Sequence, residues 1–157
     1  MIRKFISRVL GRKTPPSHGK PVTIAVAQHG LQRDDISRGC RRTVETLQEH
    51  GYQAFVVGGA VRDLLAGIRP KDFDVATNAT PEQVRQCFRR SRIIGRRFQI
   101  VHVAMGAETI EVTTFRGHHR EHDGNKAHTD AQGRVLRDNV FGSQAEDAAR
   151  RDFTVNA

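Results

Sequence analysis

The chain of 157 residues contains no tryptophan and only two cysteines, the residues that cross-link many small domains through disulfides. Cys40 and Cys87 are far apart in sequence, and neither stands within a metal-ligand spacing. A disulfide framework and a cysteine-based zinc site are therefore not expected. Both side chains are interpreted as ordinary reduced thiols.

Long apolar runs are also absent, because no stretch approaches the roughly 20 residues needed to span a bilayer. The N-terminus is basic, but Ser7 and Arg8 interrupt its apolar residues, so it lacks the core of a secretory signal. A content of 37% hydrophobic and 27% charged residues is typical of one globular domain. We expect no transmembrane segment and, by default, a cytoplasmic location.

Acidic residues are missing from two segments, residues 1–20 and 89–97, although the chain has 17 of them against 26 basic residues. Outside these segments the two signs nearly balance, so the net charge of +9 is localised. Localised positive charge favours a polyanionic partner, most often nucleic acid. The alternative is a solvated tail and a basic helix end. The second segment contains Arg89, Arg90, Arg92, Arg96 and Arg97.

Two carboxylates stand one residue apart in the stretch Lys71-Asp72-Phe73-Asp74-Val75. In a strand, Asp72 and Asp74 project to the same face while Phe73 and Val75 turn toward a core. Such a carboxylate pair suits Mg²⁺, which binds one or two carboxylates together with substrate phosphates. The pattern predicts a metal-dependent phosphoryl or nucleotidyl transfer site. The alternative for an isolated Asp-x-Asp is a solvated turn.

A glycine pair precedes this acidic stretch. Ala54–Val57 is predicted to be a strand, and Gly58 and Gly59 follow it directly, before a helix start. Paired glycines let backbone N–H groups approach an anion, and Arg62 adds positive charge nearby. The pattern predicts a phosphate-binding turn, with a tight structural turn as the alternative.

One further acid lies in a strand pattern. Glu111 alternates with apolar residues over 108–115, so it points away from the core, where it could join the acidic pair from a neighbouring strand. The alternative is a solvent-facing strand residue.

Other helices are predicted over about 35–51, 60–67, 81–89 and from 143, and other strands over 93–95 and 98–105.

Two segments have no regular pattern. Residues 1–33 are interpreted as a mobile basic extension with at most one short strand, over Val22–Val26, because Pro, Ser and Gly interrupt it. Residues 116–135 are interpreted as a long mobile loop. The four histidines of this loop lack the Cys/His pairing usual in zinc sites, so no zinc is expected.

Four of these stretches together resemble the head domain shared by bacterial poly(A) polymerases and tRNA CCA-adding enzymes. They are Gly58–Asp63, Lys71–Val75, Glu111–Arg116 and the segment from Glu146-Asp147 to Asn156. The resemblance covers about residues 35–157. Within the family, the version found in poly(A) polymerases is the more similar, on Ile93–Val103, Phe115–His119 and Leu136–Gly142.

The resemblance implies an α/β (α+β) nucleotidyltransferase fold, a small mixed β-sheet flanked by helices, over residues 34–157. It implies an enzyme that adds AMP from ATP to RNA 3′ ends without a template, by attack of the 3′-hydroxyl on the α-phosphate. Family members continue into a helical region that reads the nucleobase and binds RNA. This chain ends before that region, so a truncated head domain is expected.

The resemblance also implies roles for single residues. Asp72 and Asp74 would hold two Mg²⁺ ions, with Mn²⁺ as the alternative ion. Asp152 matches an acid treated as catalytic in the family, and Glu111 is the candidate for a third carboxylate beside the metals. The remaining residues would bind the nucleotide: Gly58, Gly59 and Arg62 the triphosphate, and Arg151, Asp152 and Asn156 the sugar.

Two other functions stay open. CCA addition to tRNA is the alternative within the family, and a non-catalytic RNA-binding fragment that retains a dead catalytic fold is the alternative outside enzymes. RNA 3′ ends and ATP are the expected partners, with RNA-decay proteins as further candidates.

Overall fold

The computed structural model describes residues 21–96, 98–117, 128–129, 135–137, 141–151 and 154–156, with backbone alone at 128–129, 135–137 and 154. Asp152, Arg97 and most of the predicted 116–135 loop lie outside these ranges. Within the ranges, no helix has the length and apolar character required to cross a membrane.

The described residues form five α-helices, two 3-10 turns and seven strands. The helices are α1 (Val26–His29), α2 (Arg38–Glu49), α3 (Gly59–Leu65), α4 (Pro81–Cys87) and α5 (Gln144–Ala149). The 3-10 turns are Arg33–Asp35 and Thr154–Asn156. The strands are β1 (Ala54–Val57), β2 (Asp74–Thr77), β3 (Ser91–Ile94), β4 (Ile100–Met105), β5 (Glu108–Thr114), β6 (His128–Thr129) and β7 (Val135–Arg137).

Five strands form one mixed sheet in the order β1-β2-β5-β4-β3. Strands β2 and β5 run parallel, and the other neighbours are antiparallel. A separate two-stranded antiparallel sheet contains β6 and β7. The predicted small mixed sheet flanked by helices is confirmed.

The two faces of the large sheet differ, because side chains alternate along each strand. One face packs against Leu47 of α2 and Val84 of α4. Five strand residues on that face are at most 1% exposed: Val75, Val101, Val103, Ile110 and Val112. The opposite face, called the open face below, carries the polar residues that alternate with them.

Hydroxyl side chains cap the starts of three helices. The Ser37 hydroxyl caps α2 by accepting a hydrogen bond from the Cys40 N–H at 3.1 Å, and it also bonds to the Glu108 carboxylate at the start of β5. Thr80 and Ser143 cap α4 and α5 in the same way. Such caps satisfy N–H groups that have no partner inside the helix. The predicted starts of α4 and α5 are confirmed, whereas α2 begins at Arg38 and not near residue 35, because Asp35 belongs to a separate 3-10 turn.

Two predictions for the irregular segments were wrong in part. Residues 22–25 form no strand, and the chain turns instead into the single turn of α1, which ends at Gly30 with φ +73°. A four- or five-residue apolar run has no defined period, so it does not distinguish a strand from one helical turn. Within 116–135, residues 128–129 form β6, whose pairing with β7 is too short to show an alternation in sequence.

Candidate active site

Two acids from neighbouring strands lie opposite each other on the open face. Asp74 begins β2 and pairs in register with Glu111 of the parallel strand β5. Directly paired residues project to the same face, so the two carboxylates are neighbours. The prediction that Asp72 and Asp74 share a strand was wrong, because β2 begins only at Asp74 and Asp72 precedes it as an exposed residue. Phe73 between them is buried, as predicted.

These acids affect one another electrostatically. The pKa of the Asp74 carboxyl is raised above its ordinary value, first by partial burial and then by the negative charge of Glu111. Arg151 lowers this pKa and Asp72 raises it. Burial and like charges both disfavour an ionised carboxylate. A cation beside Asp74 would therefore relieve the repulsion between these acids.

A glycine approaches Asp74 from the end of β1. Gly58 has φ +80°, and a Cβ built there would lie 2.6 Å from Oδ2 of Asp74. Only glycine accepts this backbone conformation together with so close an approach. The Gly58 N–H donates to the Asn156 carbonyl at 3.0 Å, so this donor is already used. The predicted phosphate-binding turn thus makes room for the acid.

The arginine beside this turn pairs with a neighbouring acid. Arg62 donates from Nε and Nη2 to Oδ1 of Asp63, at 2.9 and 2.6 Å, and its side chain is half exposed. A Cβ on Gly59 would lie 3.3 Å from Nη2 of Arg62, so the guanidinium folds back over the glycine pair. A triphosphate at this turn would compete with Asp63 for Arg62.

A second group of cations approaches the acids from the C-terminal segment. Arg151 lies close enough to Asp74 to lower its pKa, and it donates to Oδ2 of Asp147 at 3.1 Å. Its Nε atom is buried without a hydrogen-bond partner in the described part of the chain. A cavity of about 270 Å³ is lined by these two residues with Thr113, Arg116 and Arg150.

Of the other two residues predicted to bind the sugar, only Asn156 belongs to the described residues. Asp152 lies outside the described residues. Asn156 lies in the last 3-10 turn, where its carbonyl holds the Gly58 N–H, and its Oδ1 is buried with no hydrogen-bond partner among the described residues. Buried polar atoms are normally satisfied, so this oxygen is available to a ligand donor.

Sequence reasoning did not single out three residues that the structure brings to the site. Asp147 and Arg150 line the cavity with Arg151, and the i,i+4 spacing of Asp147 and Arg151 was the available signal. His102 of β4 pairs in register with Glu111, with 3.4 Å between Nε2 and Oε1. Alternation along β4 was the signal that could have placed His102 on the polar face.

The donors at the site fit a hard cation held jointly with a ligand. No group of three or more His, Cys, Asp or Glu side chains in the described ranges is placed to hold a metal ion. Asp74 and Glu111 offer two carboxylates from neighbouring strands, and the charge of Asp72 is near enough to raise the pKa of Asp74. Mg²⁺ needs only one or two carboxylates when substrate phosphates complete its ligands. The acids therefore fit such an ion in the presence of a nucleotide.

Several known proteins are similar to this chain in sequence. Residues 54–157 match the family model of the poly A polymerase head domain. Poly(A) polymerase I of Salmonella typhimurium is 54% identical over 163 aligned positions, which cover 99% of this chain and 35% of that protein. The CCA-adding enzyme of a Geobacillus species is 42% identical over 114 positions, which cover 73% of this chain and 26% of that protein. The chain spans about a third of the length of these curated relatives, or less.

A solved structure is similar as well. The crystal structure of the Bacillus stearothermophilus CCA-adding enzyme in complex with CTP matches with a TM-score of 0.56 and 35% identity, covering 77% of this chain and 27% of that one. The mixed sheet and its helices thus have the nucleotidyltransferase fold. Since the family match runs from β1 through the acids to the end of the chain, the chain belongs to the poly(A) polymerase head-domain family.

Proposed function

We propose that the protein carrying this chain is a polynucleotide adenylyltransferase, which adds AMP from ATP to RNA 3′ ends without a template. The observation that carries the proposal is the in-register pair of Asp74 and Glu111 on the open face of the family's sheet. The charge of Asp72 also reaches Asp74, since it raises the pKa of that carboxyl. The relative named as a poly(A) polymerase matches 99% of the chain, and the CCA-adding enzyme 73%. This difference favours poly(A) over CCA addition.

The acids would carry the chemistry. Asp72 and Asp74 are proposed to hold Mg²⁺, as two ions, with Mn²⁺ as the alternative. When bound, these ions supply positive charge that lowers the pKa of the attacking hydroxyl and neutralises the leaving phosphates. Glu111 is proposed as a third catalytic carboxylate because its side chain neighbours that of Asp74. Asp152 is proposed on the resemblance alone.

Two groups of residues would hold the nucleotide. Gly58, Gly59 and Arg62 are proposed to receive the triphosphate. Gly58 would contribute through its lack of a side chain, since its N–H is bonded to Asn156, and Arg62 would exchange Asp63 for phosphate oxygens. Arg151 and Asn156 are proposed to bind the sugar. Support comes from the buried Nε of Arg151 and the buried Oδ1 of Asn156, a donor and an acceptor without partners in the described ranges.

Replacing Asp74 by Asn in the full-length protein tests the proposal. Asp74→Asn keeps the size of the side chain but removes its charge. We expect kcat/KM for AMP incorporation into an RNA primer to fall by at least about 100-fold, a loss that even outer-shell changes at metal sites can cause. RNA binding should persist, because the basic surface is unchanged.

The same variant separates chemistry from folding. Because the pKa of folded Asp74 is raised, its ionisation costs the folded protein stability as the pH rises above the unfolded value of about 3.9. At neutral pH without metal, Asp74→Asn should therefore unfold at the same or a slightly higher temperature than the wild type. The gain in the free energy of unfolding should be less than about 1 kcal/mol, because the carboxyl is only partly buried. Below about pH 3 the two proteins should converge.

Asp34→Asn is the matched control, because Asp34 is 89% exposed and pairs with Arg41. It should keep full activity. An unchanged rate in Asp74→Asn would refute the proposal. Ordered addition of C, C and A to tRNA lacking its 3′ end would show CCA addition instead, and a wild-type protein without Mg²⁺-dependent ATP binding would be a non-catalytic RNA binder.

Three further expectations stay predictions. They are RNA-decay proteins as partners, a cytoplasmic location, and a head domain that begins near residue 34. The packing of Cys40 and Leu47 of α2 into the core supports the last of these, since α2 precedes the family match.

A further inference from the structure

A row of polar side chains crosses the open face from the acids to the edge of the sheet. In-register pairing aligns Asp74 of β2, Glu111 of β5, His102 of β4 and Arg92 of β3. Paired residues share a face, so the row passes from two acids through a histidine to an arginine. With strands about 4.8 Å apart, the backbones at Glu111 and Arg92 are separated by about 10 Å.

The row ends in a groove rich in arginine. Arg89, Arg90 and Arg92, named here the arginine edge, line a cavity of about 460 Å³ together with His102 and Thr109. All three are exposed, and among the described residues none of them forms an ion pair. Exposed arginines without acidic partners in a concave surface attract an external anion.

His102 connects this groove to the acids. Its ring lines the groove, and its Nε2 is buried 3.4 Å from Oε1 of Glu111 without an aligned hydrogen bond. The cavity beside Arg116 and Arg151 shares no lining residue with the groove. Two polyanionic substrates could therefore reach the acids by separate routes.

We propose that the arginine edge and His102 form the track along which a single-stranded RNA 3′ end reaches the acids. The inference rests on the proposed function and states where its RNA substrate lies. Arginine binds phosphate through paired N–H donors, and a histidine ring stacks on unpaired bases. A stacked strand rises about 3.4 Å per nucleotide along its axis, so the 10 Å from Glu111 to Arg92 accommodates about three stacked nucleotides.

A structural role would also explain charge at this position. Strand β3 is an edge of the sheet, and charged side chains keep edge strands from pairing with other chains. Edge protection requires only the charge and predicts no effect on RNA. The RNA track requires that the arginines act on phosphates at a defined distance from the 3′ end.

The test replaces Arg89, Arg90 and Arg92 together by Gln in the full-length protein. Binding of oligo(A) from two to twelve nucleotides is measured without ATP, over a range of salt. For the long oligomers we expect affinity to fall on the order of 10-fold, and the slope of log affinity against log salt to decrease by about 2, at about 0.7 per lost phosphate contact. The deficit should be small at two nucleotides and complete from about four.

Steady-state tailing provides a second readout. The KM for RNA should rise while the KM for ATP stays unchanged, because the nucleotide cavity is separate. Replacing the same three residues by Lys should restore most of the salt slope, since lysine retains the point charge. This rescue also distinguishes lost contacts from misfolding.

A charge-matched control is the set Arg33, Arg41 and Arg42, because each of these arginines has an acidic partner. Arg33 pairs with Glu45, Arg41 with Asp34, and Arg42 with Glu45 and Glu49. Their triple Gln variant should bind RNA with the wild-type salt slope. Unchanged RNA affinity and slope in the arginine-edge variant, or an equal loss in the control, would overturn the track. A wild-type protein that binds RNA but adds no AMP would refute the proposed function, while the binding series would still test the track.

Discussion

At the scale of residues, the placement of the Asp74 carboxylate depends on the absence of a side chain at Gly58. Gly58 has φ +80° and ψ −154°, a combination essentially restricted to glycine, and the Asp74 carboxylate fills the space where its Cβ would stand. A side chain at this position would have to displace the carboxylate or the backbone. Gly58 thus determines how close the end of β1 comes to the acid.

Gly58→Ala should therefore disturb both stability and chemistry. We expect a loss of about 1–3 kcal/mol in the free energy of unfolding from backbone strain and the close contact. We also expect a fall in AMP incorporation approaching 100-fold, because a reacting group displaced by about 1 Å can cost that much. Denaturant unfolding and single-turnover incorporation measure the two effects.

Gly51→Ala is the matched control for backbone strain. Gly51 has φ +86°, but nothing lies within 4 Å of a Cβ built there. This variant should lose stability through its conformation and keep its activity. Equal effects of the two substitutions on activity would contradict the role given to the contact with Asp74.

At the scale of elements, one hydroxyl ties a helix to a strand. Ser37 caps α2 and bonds to Glu108, which begins β5, the strand that carries Glu111. The pair joins the layer of helices to the centre of the sheet. The site's third carboxylate thus lies on a strand whose first residue is held by α2.

Ser37→Ala should destabilise the protein by about 1–2 kcal/mol, because it removes a cap and leaves Glu108 without this donor. Ser143→Ala is the matched control, since the hydroxyl of Ser143 caps α5 and bonds to Glu146 of the same helix. Thermal unfolding should show the larger loss for Ser37→Ala. Equal losses would mean that the link to Glu108 contributes no stability.

The elements of the site were predictable where their signals are local. The cap at Ser37, the glycine turn at Gly58 and the outward direction of Glu111 follow from neighbouring residues. The pairing of β2 with β5 does not, because strand order depends on packing between segments far apart in sequence. Alternation therefore predicted that Asp74 and Glu111 face away from the core, but their direct opposition required the structure. His102 was overlooked because its relevance depends on that same pairing.

At the scale of the whole molecule, the two thiols differ in how deeply the fold buries them. Cys40 is fully buried, and its pKa is raised to about 12, first by burial and then by the charges of Glu108 and Asp74. Cys87 is partly exposed, and burial raises its pKa as well. Thiol reagents attack the thiolate, so access and pKa together determine the order of labelling.

A thiol reagent at pH 8 should modify Cys87 first and Cys40 only as fast as the domain unfolds. The labelling rate of Cys87 should increase with pH, because a raised pKa leaves little thiolate at neutral pH. Peptide mass spectrometry over time measures both rates. Cys87→Ser should abolish the early phase, and rapid labelling of Cys40 in the folded protein would contradict the packing of α2 on the sheet.

The register of the sheet limits which sequence changes such a chain can accept in evolution. Substitutions along the polar row change one side chain each, whereas a single inserted residue in β4 would turn His102 into the core and bring Val101 or Val103 to the surface. The same event in β5 would bury Glu111 and remove it from Asp74. Insertions and deletions should therefore be tolerated in the connections between these strands, and the spacing within each strand is as much a part of the site as its acids.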